Sequence, residues 1–236
     1  MNSIVKNVVI LAGGKGTRMR ENPQTVPKPM VKIGGIPVLT HITNYLDQFG
    51  NFNYIICSGY KEEVLFDHYE NSKNIKIVST GVDTQTGGRV KKIEDYLESE
   101  NFIMTYGDGL ANVNIKKLIN FHIEKSKTAT ITVHKPEFRF GVVNFNENDE
   151  VESFIEKPVL NHYVNIGFMV FNRNIFKYLN EDIPLEAKPL VELAKDQQLE
   201  AYKHKGFFRP MDTYREYLEL NDLWEKNNAP WKPNIK

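Results

Sequence analysis

Five apolar residues, Val8-Val9-Ile10-Leu11-Ala12, run straight into Gly13-Gly14-Lys15-Gly16-Thr17-Arg18. An unbroken apolar run of that length is too short for a helix and suits a strand buried on both faces, as in the middle of a parallel sheet. The glycines open backbone angles closed to other residues and, lacking side chains, let main-chain N–H groups reach a ligand. With Lys15 and Arg18 added, the loop reads as an anion cradle. Its glycine spacing departs from the dinucleotide fingerprint, and it lacks the Lys-Ser/Thr ending of the P-loop. Shortly afterwards stands Val26-Pro27-Lys28-Pro29-Met30, where two prolines stiffen the backbone and make Lys28 a positioned point charge.

The periodicity that follows alternates. Ile42, Tyr45, Leu46 and Phe49 mark one helical face that stops at Gly50, and Tyr54–Cys57 reads as a strand. Lys61–Tyr69 is helix-like, Ile75–Val78 a strand, Val90–Leu97 an amphipathic helix and Phe102–Tyr106 a further strand. Strands alternating with helices imply βαβ units, a parallel sheet and right-handed crossovers. Such sheets bind ligands beyond the carboxyl ends of their strands, where the glycine loop falls. From Ala129 the texture changes to strands at Ala129–His134, Gly141–Phe145, Val151–Ile155 and Ile166–Phe171. Helices are expected at Ile175–Leu179, Pro189–Gln197 and Tyr214–Trp224, and no repeat, linker or low-complexity tract divides the 236 residues.

Composition narrows the function classes. Thirty basic and thirty acidic residues cancel, so anion binding must be local, and nucleic acid or an anionic membrane is not an expected partner. Cys57 is the single cysteine, which excludes an internal disulfide and a cysteine-built metal site; in Tyr54-Ile55-Ile56-Cys57 it reads as a packing residue. No apolar stretch approaches the roughly 20 residues of a membrane span. Met1–Lys6 shows no signal-peptide pattern, so a cytoplasmic protein is expected.

Further stretches are candidates for chemistry, each with a plainer structural reading beside it. Ser79–Arg89 is polar and glycine-bearing, a surface loop or a ligand-facing one. Asp108, between Gly107 and Gly109 at the end of a buried strand, is placed to hold a hard cation or to cap the next helix. His122, on the face of Ile115, Leu118 and Ile119, reads as a satisfied packing residue. Asp212 precedes a helix, so an N-cap role stands beside any metal role. Glu156-Lys157-Pro158 by itself reads as a solvated ion pair.

Together, Gly13–Arg18, Pro27-Lys28-Pro29, Thr80-Gly81 with Thr86-Gly87-Gly88-Arg89, Glu156-Lys157-Pro158 and Met211-Asp212-Thr213 resemble the sugar-1-phosphate nucleotidyltransferases. The Thr-Gly…Thr-Gly-Gly-Arg segment and the tail Leu223–Lys232 are most similar to the glucose-1-phosphate cytidylyltransferase branch, although the stretch between Tyr69 and Thr80 is shorter than in that branch. The resemblance implies an α/β fold with a Rossmann-like, mostly parallel mixed sheet flanked by helices and a small extra β portion in the C-terminal half. It implies one domain over 1–236, with a nucleotide-binding half to about residue 110 and a sugar-phosphate half from about 111. The implied reaction joins CTP and α-D-glucose 1-phosphate into CDP-glucose and pyrophosphate with Mg²⁺. Alternatives are another nucleotide (UTP, dTTP, GTP), another sugar 1-phosphate, or a catalytically silent sugar-nucleotide-binding subunit.

The implied roles follow residue by residue. Arg18, Lys28 and Asp108 are catalytic, and Asp108 with Asp212 holds the metal. Leu11, Ala12, Gly13, Gly14, Gly16, Thr17, Thr80, Gly81, Thr86, Gly87 and Gly88 bind the nucleotide. Arg89, Tyr106, Gly107, Glu156, Lys157, Asn165 and Gly167 bind the sugar phosphate. A homo-oligomer is expected, and the tryptophans at 224 and 231 serve either a subunit interface or the core.

Overall fold

A computed structural model describes residues 5–16 and 26–233. Strand β1 (Val5–Leu11) buries Val8 and Ile10 on one face and Val9 and Leu11 on the other, the alternation that a strand sandwiched between two layers requires. A 3-10 turn (Lys28–Met30) leads to a small ribbon, β2 (Lys32–Ile33) and β3 (Ile36–Pro37), and then to α1 (Val38–Leu46). Next come β4 (Asn53–Ser58), α2 (Glu63–Tyr69), β5 (Ile75–Ser79), α3 (Thr86–Lys91), β6 (Asn101–Tyr106) and β7 (Gly109–Ala111). The second half holds α4 (Ile115–Lys125), β8 (Ala129–His134), β9 (Val142–Phe145), β10 (Val151–Ile155), β11 (Val164–Asn165) and β12 (Met169–Asn172). It ends with α5 (Lys188–Lys195), β13 (Leu199–Lys203), β14 (Phe208–Pro210) and α6 (Tyr214–Glu225).

Strands β6, β1, β4 and β5 are mutually parallel, in that spatial order. The chain leaves β1 for β4 and β5, then returns to the far side of β1 as β6. Helix α1, after β1, packs on one face of the sheet and α3, after β5, on the other, so the connections change face around β1, and the crevice beyond the carboxyl ends of β1 and β6 is the usual ligand site of such sheets. Gly107 N–H donates to Leu11 O (3.0 Å) at the floor of that crevice. Beyond β6 the sheet becomes mixed: β12 runs antiparallel between β6 and β8, and β13 pairs parallel with β8. The mostly parallel mixed sheet expected from the sequence is present.

Several boundaries differ. Helix α3 begins at Thr86, four residues before the expected Val90, because Gly87 and Gly88 let another segment lie directly on its first turn, as described below. Of the expected strand Ile166–Phe171 only Met169–Phe171 is strand, in β12, because Gly167 (φ 77°) and Phe168 (φ 51°) turn left-handed between β11 and β12. The expected helix Ile175–Leu179 is a 3-10 turn over Arg173–Tyr178.

Among the described residues, every buried side-chain nitrogen or oxygen except Asn7 Nδ2 and Trp231 Nε1 has a hydrogen-bond partner. His122 Nδ1 lies 2.9 Å from Thr130 Oγ1, and burial pushes its pKa down to about 4, which fits a neutral packing residue. Cys57 is wholly buried, and its thiol is pushed up to about 12 by that burial. Trp231 is also fully buried, stacked on Phe207 (5.4 Å between centroids) and Trp224 (6.5 Å). Of the two readings for this tryptophan, it serves the core. Trp224 sits so close under the ribbon turn that a Cβ on Gly34 would meet its Cδ1 at 1.8 Å.

Candidate active site

The crevice is a cleft of about 550 Å³ lined by Leu11–Gly16, Lys28, Pro29, Val82–Thr86, Arg89 and Tyr106–Asp108. Thr17 and Arg18 lie outside the described residues. On one side the Pro27–Pro29 turn holds Lys28, only 11% exposed, so that its Nζ sits 2.6 Å from Asp108 Oδ2 and 2.6 Å from Asp212 Oδ1. Three distant stretches of chain meet at that ammonium. β6 delivers Asp108, and β14 pairs with β7 so that Met211 N–H donates to Asp108 O (2.9 Å), which brings Asp212 alongside.

Asp212 does not cap the helix that follows it. The N-cap of α6 is Thr213, whose Oγ1 accepts from Glu216 N–H while the Glu216 carboxylate accepts from Thr213 N–H (2.9 Å) and Asp212 N–H (2.8 Å). The side chain of Asp212 is thereby left to face Lys28. Two carboxylates converging on one point supply the hard oxygen donors that Mg²⁺-like cations take, usually in ones and twos with phosphate oxygens completing the shell. The donor chemistry of this pair fits a divalent ion, although among the described residues no group of three His, Cys, Asp or Glu gathers.

Arg89 has a different place from the expected one. Its guanidinium, on a residue 4% exposed, donates to Ser58 O (2.8 Å), Thr80 Oγ1 (2.5 Å), Gly13 O (3.1 Å) and Val82 O (3.3 Å). A Cβ on Gly13 would fall 2.0 Å from Arg89 Nη1, so the glycine loop rests directly on the guanidinium. Burial pushes the Arg89 pKa down, partly countered by Cys57, Asp182 and Glu62. Its four acceptors hold this cation in the wall of the cleft, against the glycine loop.

Gly87 and Gly88 also differ in what they accommodate. A Cβ on Gly87 would meet Ile183 O at 2.6 Å, and one on Gly88 would meet Asp182 Oδ1 at 2.0 Å. They admit the segment 182–186. That segment satisfies the first N–H groups of α3: Gln85 N–H donates to Asp182 Oδ1 (2.9 Å) and Gly87 N–H to Ile183 O (3.0 Å). Thr80, 1% exposed, is bonded to Ser58, Arg89 and Lys92, and Gly81 turns the chain at φ 97°. From this stretch Val82–Thr86 and Arg89 line the cleft; of these only Thr86 and Arg89 carry individual roles in the sequence analysis.

Tyr106 lines the cleft and donates its hydroxyl to Glu186, whose other oxygen accepts from Thr86 Oγ1 (2.8 Å). Burial raises the Tyr106 pKa and the Glu186 charge raises it further, so the hydroxyl stays protonated. A Cβ on Gly167 would lie 2.8 Å from the Tyr106 ring, and Asn165 Oδ1 accepts from Gly167 N–H (3.1 Å), so these two residues stand behind that wall. Glu156 and Lys157 are not among the residues lining the cleft. They follow β10, on a hairpin outside the main sheet, half exposed and 3.7 Å apart. At the mouth, Lys15 Nζ reaches across to Asp83 Oδ1 (2.8 Å).

With this geometry in view, the profile of the family described as Nucleotidyl transferase matches residues 7–223. The chain belongs to the nucleotidyl transferase family. It is 39% identical over 252 aligned positions to the glucose-1-phosphate cytidylyltransferase of Salmonella typhimurium, with 95% of this chain and 98% of that protein covered. It is 38% identical over 250 positions to the probable glucose-1-phosphate cytidylyltransferase of Bacillus subtilis, with the same coverage. Among solved structures, HddC of Yersinia pseudotuberculosis superposes with a TM-score of 0.73 at 24% identity, covering 93% of this chain and 100% of that one. An apo UDP-glucose pyrophosphorylase gives 0.74 at 17% identity, covering 94% and 99%. These structural likenesses establish a shared fold. Nucleotidyl transferases of this kind typically use a divalent metal. No helix of the described residues is long and apolar enough to cross a membrane.

Proposed function

We propose that this nucleotidyl transferase moves the cytidylyl group of CTP onto α-D-glucose 1-phosphate, giving CDP-glucose and pyrophosphate. The observation that carries the reading is the meeting of Lys28, Asp108 and Asp212 beside the glycine loop, in a chain similar over nearly its whole length to glucose-1-phosphate cytidylyltransferases. An oxygen of the sugar phosphate attacks the α-phosphorus in line. The α–β phosphoanhydride bond breaks, and its electron pair leaves on pyrophosphate. No general base is required because the attacking phosphate is already ionised.

Both reactants are anions, so the work of the protein is alignment and charge neutralisation. Asp108 and Asp212 are the proposed ligands of Mg²⁺, which when bound would offset charge on the phosphates. Lys28, held on its proline-flanked turn, is the proposed partner of the α-phosphate. Gly13, Gly14 and Gly16 present main-chain N–H groups, Arg18 steadies the leaving pyrophosphate, and Lys157 takes the sugar phosphate. Residues 82–86 face the base.

The test is pyrophosphate release with α-D-glucose 1-phosphate and Mg²⁺ against CTP, UTP, dTTP and GTP separately. Release with CTP alone is the expected result, and chelation of the metal should abolish it. Release with another nucleotide alone reassigns the base. Silence with every nucleotide and a panel of sugar 1-phosphates overturns the reading in favour of a binding subunit.

Self-association belongs to the same proposal. Phe140, Phe145, Val151 and Phe154 on and beside the β9–β10 hairpin are 68, 63, 64 and 62% exposed, an apolar surface of the kind that marks an interface. A second copy of the chain is its proposed cover. Sedimentation velocity should show the wild type as an oligomer and a Phe145→Ser, Phe154→Ser variant as a smaller species; a wild type that sediments as a monomer refutes it.

A further inference from the structure

Glu216 occupies the first turn of α6 and is 7% exposed. Its Oε2 is taken up by the main-chain N–H groups of Asp212 and Thr213. Its Oε1 accepts a further bond from Arg139 Nη2 at 2.7 Å. One carboxylate therefore ties the backbone of a candidate metal ligand to a residue far away in sequence.

Arg139 stands at the neck of the excursion that carries β9 and β10. Phe138 N–H donates to Pro158 O (2.8 Å), Leu160 N–H donates to Pro136 O (2.9 Å), and Glu137 bridges Val159. That antiparallel register, carried one step further, sets Arg139 opposite Lys157. A two-stranded hairpin by itself is marginally stable. The neck bonds define its strand pairing but not its attitude relative to the body of the protein. A charge-assisted bond from Arg139 to a carboxylate that is itself buried and fixed supplies that attitude.

We propose that the Arg139–Glu216 pair is a positioning clamp, setting the hairpin that bears Glu156-Lys157 in register with Asp212 and so placing the sugar 1-phosphate against the paired aspartates. This rests on the assignment above of Lys157 to the sugar phosphate and Asp212 to the metal. Arg139 and Glu216 are positioning residues that touch neither substrate. Because a misplacement of about 1 Å costs as much as about 10²-fold in rate, an orientation error at the neck is enough to be felt at the reacting atoms.

Arg139→Ala is the clean probe. The Arg139 side chain is 64% exposed, and its removal leaves Glu216 and the cap of α6 in place. Steady-state kinetics should show the KM for glucose 1-phosphate raised and kcat/KM for that substrate lowered by about 10- to 100-fold, with the KM for CTP unchanged. Arg139→Lys should recover part of the loss, since it keeps the charge but not the planar fork. Hydrogen–deuterium exchange of the unliganded protein should be faster over 139–158 in Arg139→Ala and unchanged in β1. Equal rises in both KM values, or unaltered exchange over 139–158, overturn the clamp. If the wild type uses no nucleotide with glucose 1-phosphate, the functional reading has failed, and the exchange comparison alone then decides: faster exchange supports the clamp and unaltered exchange removes it.

Discussion

An Asp108→Asn protein is expected to fold normally and to turn over about 10²- to 10³-fold more slowly, the usual cost of removing one group that stabilises developing charge. Asparagine fills the same space. The main-chain bond from Met211 N–H to Asp108 O is untouched, and Lys28 keeps its bond to Asp212. What disappears is one of the two negative charges that meet beside the cleft. The loss should therefore fall on turnover with saturating CTP and glucose 1-phosphate, and raising the Mg²⁺ concentration should recover part of it. Wild-type turnover in this variant would take Asp108 out of the metal site, whatever the fate of the rest of the reading.

The second large effect concerns stability. Trp231→Ala should cost about 3–5 kcal/mol, the range for truncating a buried aromatic, because the ring is fully buried between Phe207 and Trp224 and its loss leaves a cavity. Against a total of about 5–15 kcal/mol for a typical fold, that is enough to unfold a marginal protein. Trp231→Phe should cost much less. The indole Nε1 has no hydrogen-bond partner among the described residues, so phenylalanine gives up area but no bond. Denaturant midpoints measured for both variants decide the matter: equal losses would mean that the C-terminal segment is held by something other than this ring.

The parallel half of the sheet was legible because its strands are short apolar runs and its helices repeat at helical spacing, both local signals. The glycine loop and Lys28 were legible for the same reason. Arg89 was not, because a buried guanidinium and one facing a phosphate leave the same trace in a sequence; only the four acceptors around it distinguish them. Gly87 and Gly88 were read as making room for a ligand, whereas the room is used by the segment 182–186, about a hundred residues away, which no local pattern announces. Asp212 shows how a local pattern does settle a doubt. Thr213 followed three residues later by Glu216 is the capping-box spacing, and with the cap assigned to Thr213 the Asp212 side chain is turned to Lys28 instead. Glu156 and Lys157 mark the opposite case, where similarity of motif gives a role but the hairpin stands apart from the cleft wall.

The four-pointed grip of Arg89 also bears on the thermodynamics of ligand capture. Gly13 in the loop after β1, Ser58 at the end of β4, and Thr80 and Val82 in the loop after β5 are all held by the same planar group. Planar forks lose little freedom per bond formed, and the loops they hold are ordered when the chain folds rather than when a ligand arrives. The conformational entropy of this wall is therefore already spent before a nucleotide enters. More of the contact energy then appears as affinity, and a nucleotide should tighten this part of the molecule little.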